Sequence, residues 1–202
     1  MVQEQSQTKQ ICCLVTDSPS SLHHLSPTSL TIQPGYLGLF SNESALYDTQ
    51  NQIVAVEFDT YQNLDFPDQS HNHVGIDVNS IVSKTYVSSS RSFKRGSTVD
   101  AWVSYNSTTK NLSVFLTFAD NQVFSRYSSS LSYIVDLKNI LAEWARVALS
   151  AATGELVESH TILSWSFSSS LERKHWLTQP NKTKDGGTIQ PQQRKILILF
   201  KR

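Results

Sequence analysis

Between residues 52 and 60 apolar and polar positions alternate. Val54, Val56 and Phe58 fall on one side of an extended chain, and Ala55, Glu57 and Asp59 on the other. Short runs rich in β-branched and aromatic residues follow at 73–79, 98–106, 111–119, 122–127, 145–151 and 160–169, separated by Asn, Ser, Asp and Gly. Residues 107–110 lie between two such runs and predict a hairpin turn. Only 134–144 carries a helical period, with Leu137, Ile140, Leu141 and Trp144 at i, i+3, i+4 and i+7. Many short strands and little helix predict an all-β protein whose antiparallel sheets pack as a β-sandwich. Trp102, Trp144 and Trp165 sit inside these patterns and are expected in the core.

The flanks read differently. Residues 1–30 are rich in Gln, Ser and Thr, lack sustained periodicity and are expected to be loop or poorly ordered, the pair His23-His24 included. Pro34-Gly35 then punctuates the chain before the short apolar segment Tyr36-Leu37-Gly38-Leu39-Phe40. After Leu171 the composition turns basic and polar, with Gly186-Gly187 and prolines, as in a tail or linker. The organisation expected is therefore a non-domain segment over 1–30, one domain over 31–171 and a tail over 172–202.

Composition narrows the partners. Seventeen basic residues balance seventeen acidic ones in 202 residues, which offers no electrostatic footprint for nucleic acid or an anionic membrane. No apolar run is long enough to span a membrane, and no signal peptide is visible, because 1–10 is polar and Ile11 to Val15 is too short. Cys12 and Cys13 are adjacent, unsuited to bridging each other and without metal-ligand spacing. The sequons at Asn42, Asn106, Asn111 and Asn181 hint at passage through a secretory compartment.

The chemistry concentrates after the first alternating strand. Glu57 and Asp59 occupy the same side of that strand, where they repel one another unless they share a proton, meet cations or bind metal. Asn63, Asp65, Asp68, His71 and His73 follow, and then a second strand that carries Asp77. Oxygen donors of this kind suit calcium or manganese, and an imidazole beside them favours a transition metal at one of two positions. Paired acids at i and i+2 also occur in jelly-roll glycoside hydrolases, but those clusters continue with a further acid where this chain has Tyr61. Ser166 and Ser168 near His160 form no nucleophile arrangement, since neither a third group nor a sharp turn accompanies them.

Val54-Ala55-Val56-Glu57-Phe58-Asp59-Thr60-Tyr61, followed by His73-Val74-Gly75-Ile76-Asp77-Val78-Asn79-Ser80, resembles the legume lectin domain. The likeness runs from about Gly35 to Leu171 and ends in Val147-Ala148-Leu149-Ser150-Ala151-Ala152-Thr153-Gly154 and Ile162-Leu163-Ser164-Trp165-Ser166-Phe167-Ser168. It implies a concanavalin-like jelly roll and a carbohydrate-binding, non-enzymatic protein. It further implies manganese held by Glu57, Asp59, Asp68 and His73, and calcium sharing Asp59 and Asp68 with the Tyr61 carbonyl and the Asn63 side chain. Sugar contacts would come from the Tyr61 ring, the Asn63 amide, the backbone at Gly35, and Gly154, Glu155 and Leu156.

The sequence departs from that family at its start. The opening strands are missing, as is the strand carrying a sugar-binding aspartate; Asp17 is followed by Ser18-Pro19-Ser20-Ser21, which does not continue as that strand. The jelly roll is thus expected to be incomplete at its N-terminus, with the first 25 or so residues arising from an altered reading frame or alternative start, and with sugar binding impaired. Partners implied are mono- or oligosaccharides, glycoproteins and further copies of the chain; the location implied is extracellular or plasma-membrane-associated. A second reading is a non-binding fragment of a lectin receptor kinase ectodomain, with the tail as its juxtamembrane linker.

Overall fold

The computed structural model describes residues 8–16, 36–46, 51–62, 72–88, 98–118, 130–141, 145–153, 159–169 and 196–201. In chain order the elements are β1 (Thr8–Thr16), β2 (Ile53–Asp59), β3 (His73–Val78), β4 (Thr85–Ser88), β5 (Thr98–Asn106), β6 (Asn111–Phe118), β7 (Ser130–Ile134), α1 (Leu137–Ile140), β8 (Arg146–Thr153), β9 (Ser159–Trp165) and β10 (Ile196–Lys201). They form two sheets, ordered β4-β3-β2-β1-β8 and β7-β6-β5-β10-β9, and every pairing is antiparallel. The all-β sandwich read from the alternating pattern is the observed architecture.

The apolar side of each alternating strand builds the core between the sheets. Val54, Val56 and Phe58 of β2 and Val74, Ile76 and Val78 of β3 meet Val99, Ala101, Leu112, Val114, Leu116 and Leu131 of the second sheet. A smaller cluster lies on the other face of β2, where Ile53 and Ala55 pack with Leu37, Phe40, Ala45 and Ile81. The 36–46 segment is therefore the cover of that face. It is pinned by Ser150 Oγ of β8, which donates to the Leu37 carbonyl at 2.6 Å, and Gly38 (φ +64°) leaves room for that hydroxyl, which a Cβ would meet at 2.9 Å. All of β2 and β3 is buried in consequence.

Several expectations are corrected. Within the 1–30 segment read as loop, Thr8–Thr16 is a strand seated between β2 and β8. Its five consecutive apolar residues show no alternation, so periodicity alone does not reveal a strand that has ladder partners on both sides. Within the 172–202 tail, Ile196–Lys201 is likewise a strand, placed between β5 and β9. The helix expected over 134–144 shrinks to the single turn α1, capped by the Asp136 side chain on the Lys138 amide, because Ser130–Ile134 is taken into the sheet beside β6. The short strand β4 carried no pattern of its own and adds the edge next to β3.

Trp102 is only half-buried and Trp165 is 52% exposed, against the core placement expected for both. By register Trp165 pairs with Ile196, which pairs with the buried Ala101, so Trp165 stands on the core-side face with about half of it left open. Trp144 and the strand expected at 122–127 lie outside the described residues.

Phe58 is fully buried at the centre of the main cluster. Phe58→Ala is expected to lower unfolding free energy by about 3–5 kcal/mol in chemical denaturation, whereas Phe115→Ser, at a 41% exposed side chain, is expected to shift it by under about 1 kcal/mol.

Candidate metal centre

Alternation gives β2 a second face, and the same residues that follow Ile53 and Ala55 on it are Glu57 and Asp59. In β3 that face carries His73, Gly75 and Asp77. The register sets Asp59 opposite His73, Glu57 opposite Gly75 and Ala55 opposite Asp77. Three carboxylates and an imidazole are thereby collected on one buried patch, with Glu57, Asp59, His73 and Asp77 all at most 4% exposed.

Donor atoms of Glu57, Asp59 and His73 lie within 4.8 Å of one another. That spread suits a single cation bridging them with bonds of about 2 Å. His73 Nε2 lies 2.7 Å from Glu57 Oε1, a contact in which the protonated ring nitrogen donates to the carboxylate. Tyr86 of β4 meets the His73 ring edge-on, with centroids 5.9 Å apart, and so fixes its plane. The backbone amide of Tyr61 donates to Asp59 Oδ1 and turns the chain out of β2.

Ser83 ties the patch together from the segment after β3. Its Oγ lies 2.9 Å from Glu57 Oε1 and 2.7 Å from Asp77 Oδ1. A hydroxyl carries one proton, so it cannot donate to two ionised carboxylates at once. Burial, followed by the charge of neighbouring Glu57, pushes the Asp77 carboxyl well above its usual range. Ser83 Oγ therefore donates to one of the two carboxylates at a time and links them. Asp77 Oδ2 is buried without a hydrogen-bond partner, a polar atom left over in a site that otherwise satisfies its groups. Gly75 is the gap that lets this happen, since a Cβ there would come within 1.9 Å of Ser83 Oγ and 3.0 Å of Glu57 Oε1.

The residues present fit a divalent cation. A buried acidic donor set with one imidazole is chemically suited to a hard or borderline metal ion. Of the ligands expected from sequence, the fold brings together Glu57, Asp59 and His73, and places the half-buried Tyr61 two residues beyond β2. Asn63, Asp65, Asp68 and His71 lie outside the described residues, as do Gly35, Gly154, Glu155, Leu156 and the sequon asparagine Asn181. Ser83, Gly75 and Tyr86 were not singled out by sequence. Gly75 and Asp77 continue the two-residue period from His73, which is a usable signal; Ser83 and Tyr86 reach the site only through the turn into β4.

The family model described as legume lectin domain matches residues 19–184, beginning earlier and ending later than the likeness read from motifs, which ran from about Gly35 to Leu171. Agglutinin-2 of Cladrastis kentukea is 48% identical over 152 residues, covering 73% of this chain and 51% of that protein. The mannose/glucose-specific lectin of Centrolobium tomentosum is 46% identical over 139 residues, covering 68% and 54%. Among solved structures, lectin II from Ulex europaeus superposes with a TM-score of 0.61 at 31% identity, covering 76% of this chain and 60% of that one. The chain thus spans about half the length of the curated relatives it matches.

The Gly75 gap has a measurable consequence. In chelator-treated protein Gly75→Ala is expected to cost about 1–3 kcal/mol of unfolding free energy, and clearly less when introduced into a Ser83→Ala background. Equal costs in the two backgrounds, read by chemical denaturation, would contradict the packing of Ser83 over Gly75.

Proposed function

The chain belongs to the legume lectin domain family, and from that membership we propose that it is a carbohydrate-binding module whose sugar loop is organised by a calcium and manganese pair. The observation that carries the reading is the convergence of Glu57, Asp59 and His73 on one buried patch at the end of β2 from which Tyr61 emerges. Glu57, Asp59 and His73 would hold manganese together with Asp68; Asp59 and Asp68 would be shared with calcium, joined by the Tyr61 carbonyl and Asn63. Bound there, the cations supply fixed positive charge to the crowded carboxylates and hold the donors of the loop in one geometry.

The chain's own groups then do the recognition. The Asn63 amide donates to a sugar hydroxyl, the Tyr61 ring lies against the apolar face of a pyranose, and backbone at Gly35 and at Gly154, Glu155 and Leu156 adds further contacts. A few hydrogen bonds and one ring give about −4 to −6 kcal/mol per monosaccharide, in the millimolar to tens-of-micromolar range. Such weak sites gain from repetition, which favours glycoproteins as partners and self-association of the chain. The same reading carries an extracellular or plasma-membrane-associated location. No helix among the described residues is long and apolar enough to cross a membrane.

Hydrolysis falls away as an alternative. The relatives are lectins, and Glu57 is engaged by His73 and Ser83 while Asp59 accepts from the Tyr61 amide.

Two measurements test the proposal. Purified protein supplied with both ions at neutral pH is expected to retain calcium and manganese, and Glu57→Gln to weaken manganese binding by more than about tenfold; protein that stays metal-free removes the central assignment. Retention on a panel of immobilised monosaccharides is expected to disappear with chelator and return with the ions. Release of reducing sugar, or retention indifferent to chelator, would point elsewhere.

A further inference from the structure

The sequence holds two sequons that the fold brings face to face. Asn106-Ser107-Thr108 ends β5 and Asn111-Leu112-Ser113 begins β6, and the register pairs Asn106 directly with Asn111 at the base of the hairpin. Side chains of directly opposed residues lie on the same face with Cβ atoms about 4.5–5.5 Å apart. At that spacing two branched glycans would crowd one another on one face, so the folded hairpin favours a single one.

The two asparagines are not equivalent. Asn106 is exposed, and so is every residue of the turn that follows it, 107–110. Its Oδ1 accepts from the Thr108 and Thr109 amides at 2.9 and 3.0 Å, which orients the amide by its oxygen. Asn111 is flanked on both sides, by Asn106 of β5 and Ile134 of β7. It is only partly exposed, and its Oδ1 is buried with no hydrogen-bond partner. Asn111 thus stands inside the sheet between two strands, whereas Asn106 opens directly onto an exposed turn.

The structure assigns Asn106 as the glycan-bearing member of this pair and Asn111 as the silent one in a chain that passes through a secretory lumen. The donor is a lipid-diphosphate-linked oligosaccharide. The Asn106 Nδ2 forms a bond to the anomeric carbon of its first N-acetylhexosamine, the anomeric carbon–oxygen bond to the diphosphate breaks, the lipid diphosphate departs, and the amide gives up one proton. Transfer precedes folding, so the discrimination acts afterwards: chains modified at Asn111 cannot close the β5–β6–β7 ladder and are missing from the folded pool. A glycan on Asn106 stands at the exposed turn end of the hairpin, in the other sheet from the buried patch of β2 and β3. The inference does not depend on sugar binding by the protein.

The test is to express the full chain behind a heterologous secretory leader and read glycopeptides of the soluble, protease-resistant pool by mass spectrometry. Trypsin cuts after Lys110 and places the two sequons on separate peptides. A glycan is expected on the Asn106 peptide in most copies and on the Asn111 peptide in none. Thr108→Ala, which keeps the Asn106 side chain and its turn contacts, is expected to remove one glycan mass, as is Asn106→Gln; Asn111→Gln is expected to leave the mass of attached glycan unchanged. A bare Asn106 peptide, or a glycan on Asn111 in the folded pool, overturns the assignment.

Discussion

Carboxylates buried side by side are the constraint to which this structure answers. Glu57, Asp59 and Asp77 share one face of β2 and β3 with scarcely any access to water, and His73 joins them there. Each device around them lowers that cost. His73 donates to Glu57, a Tyr61 amide donates to Asp59, Ser83 bridges Glu57 and Asp77, and burial holds the Asp77 carboxyl above its usual range. One oxygen of Asp77 remains unanswered. An apolar replacement would pack this face more cheaply, so the acids are better explained by what they bind than by stability.

Their burial depends on covering the second face of β2. Val54, Val56 and Phe58 would be buried in any two-sheet sandwich, but Ile53 and Ala55 are buried because 36–46 folds across them. Ser80 Oγ and the Ile81 amide both donate to the Ala45 carbonyl, and the Asn51 side chain donates to the Ser44 and Asn79 carbonyls. Asn79 adopts a positive φ of 58°, which sends the chain sharply out of β3 towards Ser83. The turn that seals the apolar half of the face thus also delivers the hydroxyl that its acidic half needs.

Local patterns made the alternating strands legible, and with them the sandwich. Val54 to Asp59 shows its two faces in six residues, and the distance from there to His73 suffices to suggest a metal loop. β1 and β10 were not legible, because Ile11 to Val15 and Ile196 to Phe200 are apolar runs without period, embedded in polar sequence that reads as loop or tail. Ser83 and Tyr86 were invisible for another reason: a serine or a tyrosine near a turn has no local signature of what it will touch. Trp165 shows the reverse failure, since hydrophobicity and strand pattern place it correctly on the core-side face and still do not tell whether anything covers it.

Sharing one strand between core and site has an energetic consequence. β2 contributes Phe58 to the main cluster and, one residue to either side, Glu57 and Asp59 to the acidic patch, so neither half can loosen without disturbing the other. The donors come from two strands paired in register and are brought together only when that ladder is formed. A ligand that recognises the assembled patch therefore binds the folded chain and not the unfolded one, and its binding free energy adds to folding stability by mass action. Acids that burden the sheet by themselves become, with a cation bound, a reason for β2 and β3 to stay paired.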